Sequence, residues 1–273
     1  MLFVASLSFI MNPLVKFKIG VTSMKIAYIS DLHLDFYVQP WADWERKLLR
    51  FLEQLLPNEK ADVLIIAGDL SHYNTQSLFA LRFFAEHFQQ VFVVMGNHDY
   101  YLVSNNHASH YDKNSVKRET ELQEMINTIP NVYLLQHYEV VSFQQVLFAG
   151  ATNWYGLKTA EEQAFFNERS NDSKLIRRHS IGQQHTLEMA SYEQLDKVDV
   201  LVTHVPPIFI NSHLLDRSPA CYLNQLKTVK AKHHVFGHCH EQEVYEQGQA
   251  TYYINALGYP DEKLPQKMRV FTL

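Results

Sequence analysis

The sequence has few cysteines, no excess of basic residues and no apolar run long enough to cross a membrane unaided. Its two cysteines, Cys221 and Cys239, are too few for a disulfide framework, which favours a reducing, cytoplasmic setting. Lysine and arginine number 24 against 29 aspartates and glutamates, so the formal charge is -5. Nothing therefore marks a surface built to bind polyanions, and neither a nucleic acid nor a membrane is an expected partner.

The first 15 residues are the apolar stretch that comes closest to a membrane segment. No lysine or arginine precedes them, no small-residue cleavage site stands out, and they are too few to span a bilayer. Met24 then opens a segment with the character of a first β-strand, Met-Lys-Ile-Ala-Tyr-Ile-Ser. We expect residues 1–23 to be a mis-assigned extension of a protein that starts at Met24, with a signal anchor as the alternative.

What the sequence does contain is alternating apolar and helical segments, and many histidines. With 273 residues, 47% of them hydrophobic, the chain can bury a sizeable core as one large domain or two small ones. Apolar runs near residues 25–29, 62–67 and 91–95 alternate with helical patterns at 41–56 and 77–89. This order predicts an α/β fold whose right-handed crossovers bring three strand ends to one edge of a sheet. The 15 histidines could supply imidazole metal ligands there.

Each of the three strand ends carries residues typical of metal ligands. The first strand leads into Asp31 and His33, the second into Asp69, and the third into Asn97 and His98. If the backbone stays extended, the first two side chains point to the same side, because side chains alternate along a strand. The glycine before Asn97 permits a sharp turn at the edge where open α/β sheets bind ligands. Each pattern is weak alone, since polar turns of this composition are common.

The second half of the chain adds histidines in similar positions. A buried strand at 198–202 leads to His204, and two prolines after it stop further strand pairing. Another apolar run leads into Gly-His-Cys-His, where His238 and His240 share one side of an extended chain. Cys239 would then face the opposite side, where we expect it to pack rather than to bind metal.

Two polar segments interrupt the strands. Residues 105–119 are rich in asparagine and histidine and predict a mobile surface loop that could act as a lid. Residues 156–196 have helical character, and for them we favour solvated helical faces over contact with a substrate. We therefore expect a single domain over residues 24–273, with a polar loop and a helical excursion attached to it.

Taken together, five short motifs follow one another, each after a predicted strand: Asp-x-His, Gly-Asp, Gly-Asn-His-Asp, a lone histidine and Gly-His-x-His. With them the sequence resembles the calcineurin-like metallophosphoesterase family, from about residue 25 to the C-terminus. The resemblance implies an α/β fold of four layers, an αββα sandwich in which two mixed sheets pack face to face with helices outside. It also implies a metal-dependent phosphoric ester hydrolase.

The resemblance further implies two metal sites that share one carboxylate. One ion would be held by Asp31, His33, Asp69 and His240, and the other by Asp69, Asn97, His204 and His238. Carboxylates, imidazoles and an amide without a thiolate suit two divalent ions of Mn, Fe, Zn, Co or Ni. Two such ions would make a bridging hydroxide available for in-line attack on phosphorus.

Asp69 and His98 are the expected catalytic residues. Asp69 would bridge the ions, and His98, which is not a ligand in the family pattern, would protonate the leaving oxygen. Asp35 or Asp99 would hydrogen-bond to metal-binding imidazoles on the side away from the ions and so orient them.

The choice of substrate depends on a departure from one branch of the family. Its serine/threonine protein phosphatases extend Gly-Asp into an Asp-Arg-Gly segment and usually carry glutamate after Asn-His. Here Leu-Ser-His-Tyr follows Asp69, and Asp99 follows His98. This favours a phosphodiester or a nucleotide-like small molecule as substrate. The alternatives are a phosphomonoesterase or phosphoprotein phosphatase, a non-catalytic scaffold of the same fold, and a metal-storage or sensing protein.

Overall fold

The computed structural model of the protein describes residues 23–209 and 222–273. The expected N-terminal extension therefore lies, apart from Ser23, outside the described residues. Within the described ranges, the chain forms two mixed β-sheets and the helices that cover them.

The first sheet has the strand order β11-β1-β2-β3-β4. Its strands are β1 (Lys25–Ile29), β2 (Val63–Ala67), β3 (Gln90–Val94), β4 (Val132–Leu134) and β11 (Arg269–Thr272). The first four are parallel, and β11 pairs antiparallel with β1. The carboxyl ends of β1, β2 and β3 consequently share one edge, which confirms the prediction from their spacing.

The second sheet has the order β5-β6-β7-β8-β10-β9. Its strands are β5 (Val141–Phe143), β6 (Val146–Ala151), β7 (Val198–Thr203), β8 (Ala231–Phe236), β9 (Val244–Gln247) and β10 (Ala250–Ile254). The four central strands are parallel and the two edge strands antiparallel. This sheet delivers the second set of histidines from the ends of β7 and β8.

The alternation of side chains along each strand explains the four layers. In β1, Ile26 and Tyr28 pack between the two sheets, while Ala27 and Ile29 pack against helices. Both faces of the strand are buried, so its sequence is continuously apolar. The αββα sandwich implied by the resemblance is confirmed.

Helices cover the outer face of each sheet. Those described are α1 (Leu34–Tyr37), α2 (Trp44–Leu55), α3 (Asn74–His87), α4 (Asn105–His110), α5 (Ser115–Ile126), α6 (Ala160–Arg169), α7 (Asp172–Leu175) and α8 (Ile181–Gln194). Residues of α2, α3 and α5 pack in one cluster with the outer face of the first sheet. Tyr192 of α8 packs on the outer face of the second. No helix in the described ranges combines the length and the apolar character that crossing a bilayer requires.

The segment predicted as a mobile loop at 105–119 is helical instead. It contains α4 and the first turn of α5, and the side chains of Ser104 and Asn114 accept hydrogen bonds from the first backbone amides of these helices. Its polar composition thus reflects helix N-caps, for which serine and asparagine are favoured residues. Arg118, near the start of α5, is fully buried and contributes to the site described below.

Candidate metal centre

Strand ends from both sheets meet at one place and bring all seven predicted metal ligands together. The first sheet supplies Asp31 and His33 after β1, Asp69 after β2, and Asn97 from a short 3-10 helix, Asn97–Tyr100, after β3. The second sheet supplies His204 after β7 and His238 and His240 after β8.

Asp69 lies at the centre of this cluster. Its Oδ2 atom is 3.7 Å from His33 Nε2 and 3.4 Å from His204 Nε2. Its Oδ1 atom accepts a hydrogen bond from the backbone N–H of His98 at 2.8 Å. One carboxylate oxygen is therefore fixed by the backbone, and the other lies between two sets of side-chain donors.

The first set consists of Asp31, His33 and His240 around the Asp69 carboxylate. His33 Nε2 is 3.0 Å from His240 Nε2, which in turn is 3.7 Å from Asp31 Oδ1. Asp31 is held by the backbone N–H of His238, 2.9 Å from its Oδ1. Asp31, His33 and His240 can each turn one ligand atom toward a shared ion.

The second set consists of Asn97, His204 and His238 on the other side of Asp69. Asn97 Oδ1 is 3.0 Å from His204 Nε2 and 3.1 Å from His238 Nδ1, and these two nitrogens are 3.2 Å apart. A ligand-to-metal distance of about 2.0–2.2 Å places neighbouring ligand atoms about 3.0–3.5 Å apart. The spacing in the second set falls within this range, and the 3.7 Å contacts of the first set lie just above it, so both sets are candidate sites for divalent cations.

Hydrogen bonds on the far side of His204, His240 and Asn97 show which of their atoms carry lone pairs toward the cluster. His204 Nδ1 is 2.8 Å from the carbonyl of Ala67, so Nδ1 holds the hydrogen and Nε2 of the neutral ring does not. His240 Nδ1 meets Glu262 in the same way at 2.8 Å. The Asn97 amide donates to Asp172 at 2.8 Å, which turns Oδ1 toward the histidines. Lone pairs thus face each other across the centre, an arrangement that a cation would satisfy.

The electrostatics of the cluster follow from burial and from Asp69. Burial acts to raise the pKa of Asp69, but the neighbouring imidazoles, His204 foremost, outweigh it and hold that pKa well below its usual value. Burial lowers the pKa of His33 to about 4, so its ring is neutral and able to bind metal. For His204 burial acts in the same direction, but the Asp69 carboxylate outweighs it and raises the pKa to about 9. A cation would take the place of that proton.

The backbone reaches this arrangement through strained turns, not through extended strands. Five of the predicted ligands have left-handed backbone angles, with φ of 52° at Asp31, 40° at His33, 57° at Asp69, 72° at His238 and 51° at His240. The expectation that Asp31 and His33 converge by strand alternation is therefore wrong in its reason, because β1 ends at Ile29. Non-glycine residues with such angles cluster at functional sites.

Asp99 and Arg118 brace the loops that carry the ligands. The Asp99 carboxylate accepts from the backbone N–H groups of Gly96, Asp69 and Leu70 at 2.8–3.0 Å. It therefore orients backbone rather than an imidazole, which corrects that part of the prediction. The Arg118 guanidinium donates to three carbonyls, those of Ser71, His98 and Tyr101, at 2.6–3.1 Å. Sequence reasoning missed Arg118 because it lay in the segment interpreted as a loop.

A cavity of about 420 Å³ opens beside the cluster. Asp69, Asn97, His98, His238 and His240 line it, together with residues that the sequence analysis did not single out: Tyr101, Phe165, Arg169, Ser170, Asn171, Asp172, Tyr222, Tyr259 and Glu262. The end of α6 and the start of α7 thus form one wall of the site. The interpretation of this excursion as a solvated face is wrong at Asp172, which is buried and accepts a hydrogen bond from Asn97.

His98 occupies the position between the ligands and the cavity. Its imidazole lies close enough to His33 and Asp69 for these three side chains to be able to hold an ion together. However, both ring nitrogens of His98 have other partners. Nδ1 contacts His72 at 2.9 Å, and Nε2 lies 3.4 Å from the hydroxyl of Tyr259 on the cavity wall.

Fold and site together define an α/β-sandwich protein with a candidate dinuclear metal centre at the carboxyl ends of its strands. A model of the calcineurin-like phosphoesterase family matches residues 24–242, and the chain belongs to this family. Phosphoester hydrolysis is the activity that this membership suggests.

Two relatives illustrate the range of similarity. The uncharacterized protein L509 of Acanthamoeba polyphaga mimivirus is 22% identical over 270 residues, which cover 87% of this chain and 92% of that protein. The crystal structure of phosphopantetheinyl hydrolase (PptH) from Mycobacterium tuberculosis matches with a TM-score of 0.67 and 20% identity, over 91% of this chain and 96% of that one. At this level of identity, the structural likeness concerns the fold.

Proposed function

We propose that the protein is a dinuclear-metal phosphoesterase that hydrolyses a phosphodiester or a nucleotide-like small molecule. One observation carries the proposal: a single oxygen, Asp69 Oδ2, lies 3.7 Å and 3.4 Å from imidazoles of two separate donor sets. A carboxylate in that position can bridge two ions, and two ions close together are the arrangement of many phosphoester hydrolases.

The two donor sets divide the ligands between the ions. Asp31, His33, Asp69 and His240 would hold one ion, and Asp69, Asn97, His204 and His238 the other. The ligand types suit Mn, Fe, Zn, Co or Ni. When bound, the two ions would polarise the phosphate oxygens and lower the pKa of an attacking water.

The protein's own residues would complete the reaction on the cavity side. His98 faces the cavity through Nε2 and would give a proton to the leaving oxygen as its bond to phosphorus breaks. Tyr259, whose hydroxyl lies 3.4 Å from that nitrogen, would hold the same oxygen or a neighbouring one. Asp69 is catalytic in this scheme through its position between the ions.

The cavity supports a substrate with organic groups attached to the phosphate. Its volume of about 420 Å³ exceeds what a lone phosphate needs, and aromatic rings of Phe165, Tyr222 and Tyr259 line its wall. Arg169, on the same wall, offers a cation for a second anionic group. Because one structural neighbour is named phosphopantetheinyl hydrolase, a phosphopantetheinyl ester belongs among the substrates to be tested.

Metal analysis and two model esters test the proposal. We expect the purified protein to bind about two divalent ions per chain and, with added Mn²⁺, to hydrolyse bis-p-nitrophenyl phosphate faster than p-nitrophenyl phosphate. The reverse preference would favour the phosphomonoesterase, and hydrolysis of a phosphoprotein the phosphatase. Metal binding without hydrolysis of any ester would favour the scaffold. We also propose a cytoplasmic location, because two cysteines suit a reducing compartment.

A further inference from the structure

We propose that Asp35 and His72 act as positioning residues that hold His98 with Nε2 directed at the leaving oxygen. The inference rests on the proposed function, and it extends the site by two residues that no sequence motif marked as a pair. Its basis is a continuous chain of three side chains, Asp35–His72–His98, that runs from α1 to the cavity.

The contact between the two histidines is direct. His72 Nε2 lies 2.9 Å from His98 Nδ1, which is a hydrogen-bond distance. The His72 imidazole is buried, with its side chain 8% exposed, so water does not compete freely for this contact. His98 is on the 3-10 helix after β3 and His72 in the loop after β2, so the bond joins two of the strand ends that carry metal ligands.

Asp35 fixes the other side of His72. Its Oδ2 is 2.8 Å from His72 Nδ1, and its Oδ1 accepts from the backbone N–H of the same residue at 3.0 Å. The Ser71 hydroxyl lies 3.2 Å from Oδ1. Oδ1 thus accepts from one N–H group and faces a hydroxyl, so Asp35 acts as the acceptor in its contacts with His72.

These bonds determine where each hydrogen lies. Because the Asp35 carboxylate only accepts, His72 Nδ1 must carry a hydrogen, and Nε2 of a neutral His72 then has a lone pair. That lone pair accepts from His98 Nδ1–H. The chain therefore locks the His98 ring with Nδ1 turned inward, and it leaves Nε2 as the atom that exchanges a proton in the cavity.

The proton balance of the step involves only Nε2 of His98. A water oxygen bonds to phosphorus and releases one proton to solvent, the bond between phosphorus and the leaving oxygen breaks, and that oxygen keeps the electron pair. The leaving oxygen takes the proton from Nε2 of a doubly protonated His98 ring, which returns to the neutral form with Nδ1–H still bonded to His72 and takes up a proton from solvent before the next turnover. His72 belongs to the Leu-Ser-His-Tyr segment, in which this protein differs from the protein phosphatases. That difference therefore supplies the residue that holds His98.

A series of phosphodiesters with different leaving groups tests the role of the chain. We compare His72→Ala, His72→Gln and Asp35→Asn with wild type on p-nitrophenyl and alkyl esters of one phosphate. An acidic nitrophenol leaves without help, whereas an alkoxide needs a proton. Since a general acid contributes about 10²–10⁴-fold, we expect His72→Ala to lose about tenfold to a hundredfold in kcat on alkyl esters. On nitrophenyl esters it should lose far less, with KM and metal content close to wild type.

Rescue and control variants separate positioning from general damage. The amide carbonyl that His72→Gln introduces can accept from His98 Nδ1–H, so this variant should recover part of the loss. His110→Gln, which changes an exposed histidine of α4 outside the cavity, should behave as wild type on every ester. An equal loss of rate on all leaving groups, or a loss of metal in His72→Ala, would show a merely structural role and overturn the inference.

Nitrogen NMR of the imidazoles gives a readout that needs no activity. In the Zn²⁺-loaded wild type we expect His98 to carry its hydrogen on Nδ1, and in His72→Ala we expect this preference to disappear. An unchanged His98 spectrum in the variant would refute the proposed Asp35–His72–His98 hydrogen-bond chain even if no substrate is found. Failure to hydrolyse any ester, with the expected spectra, would instead count against the proposed function alone.

Discussion

Single glycines make room for the proposed metal ligands, so the site depends on residues that carry no chemistry themselves. A Cβ atom on Gly96 would lie 2.1 Å from Asp69 Oδ1, well inside van der Waals contact. Gly68 has φ of +88°, and a Cβ there would lie 2.4 Å from His204 Nδ1. Both positions require glycine because a side chain would push directly on a ligand.

Gly96→Ala should therefore damage the centre without touching a ligand. The new methyl group would displace the Asp69 carboxylate, and we expect metal content and activity both to fall, activity by about tenfold or more, because a misplacement of 1 Å can cost about a hundredfold. Metal analysis and kcat measurements check this. Gly182→Ala in α8 is the matched control, since a Cβ there meets nothing within 4 Å. It should keep metal content and activity at wild-type levels. A Gly96→Ala protein with full metal content would contradict the expectation.

His98 and Asp69 should differ in what their loss removes. We expect His98→Ala to keep both metals and to lose two or more orders of magnitude in kcat, which is the usual scale for a general acid. Asp69→Ala should strip metal as well, because its Oδ2 faces both donor sets. Metal analysis beside steady-state kinetics distinguishes the two. Near-normal turnover in His98→Ala would remove it from the mechanism, and full metal content in Asp69→Ala would contradict its bridging role.

At the scale of elements, the short helix α7 is hydrogen-bonded directly to the proposed metal ligand Asn97. Asp172 at its start accepts hydrogen bonds from the Asn97 amide and from the hydroxyls of Tyr101 and Tyr155. Asp172 is 3% exposed and its three partners are buried as well, so these bonds are largely shielded from bulk water. The excursion thus contributes to the orientation of Asn97 as well as to the cavity wall.

Asp172→Asn should weaken the second metal site more than the first. The new amide has one oxygen where the carboxylate has two, so the three donors, Asn97 among them, would compete for a single acceptor. We expect a weaker second step in a calorimetric metal titration and a destabilisation of about 1–3 kcal/mol from buried unsatisfied groups, measured by urea unfolding. Asp196→Asn, at an exposed position after α8, serves as the control. Two unchanged binding steps would exclude this role for α7.

The strand ends were predictable from the sequence, whereas the contacts between distant elements were not. An apolar run followed by a polar residue is a local signal, and it located Asp31, Asp69 and His204 correctly at strand ends. The bond between Asp172 and Asn97 spans 75 residues and leaves no local pattern. Burial of Arg118 likewise depends on three carbonyls from other segments. For such residues, the polar composition of their own segment pointed to a loop or a solvated helix.

At the scale of the whole molecule, the centre lies where the two sheets meet. The backbone itself crosses there: Ser30 N–H donates to Asn255 O, and Gly258 N–H donates to Asp31 O, each at 3.0 Å. The resemblance supplied the pairing of two sheets, which the strand and helix order alone allowed but did not require. The left-handed turns after the strands were beyond a pattern argument, because alternation describes only extended chain.

Stability of the whole fold should also depend on a buried acid remote from the ligands. Glu188 of α8 lies beside the loop that follows β6, where its carboxyl group accepts the backbone N–H of Trp154 at 2.6 Å. Burial is the main cause that raises its pKa from 4.5 to about 8. In the folded protein, the group therefore stays protonated at pH values where the unfolded chain has already lost the proton.

The sign of the resulting pH dependence follows from proton binding. Below pH 4.5 both states hold the proton; between pH 4.5 and about 8 only the folded state does, so the free energy of unfolding falls as pH rises. Glu188→Gln cannot ionise, yet its carbonyl can still accept from Trp154. We expect the variant to gain stability over wild type progressively from pH 5 to pH 8, by at most about 1.4 kcal/mol for each pH unit. Urea unfolding at both pH values measures this, with exposed Glu193→Gln on the same helix as the control. Parallel profiles for wild type and Glu188→Gln would mean that the acid is ionised in the folded protein.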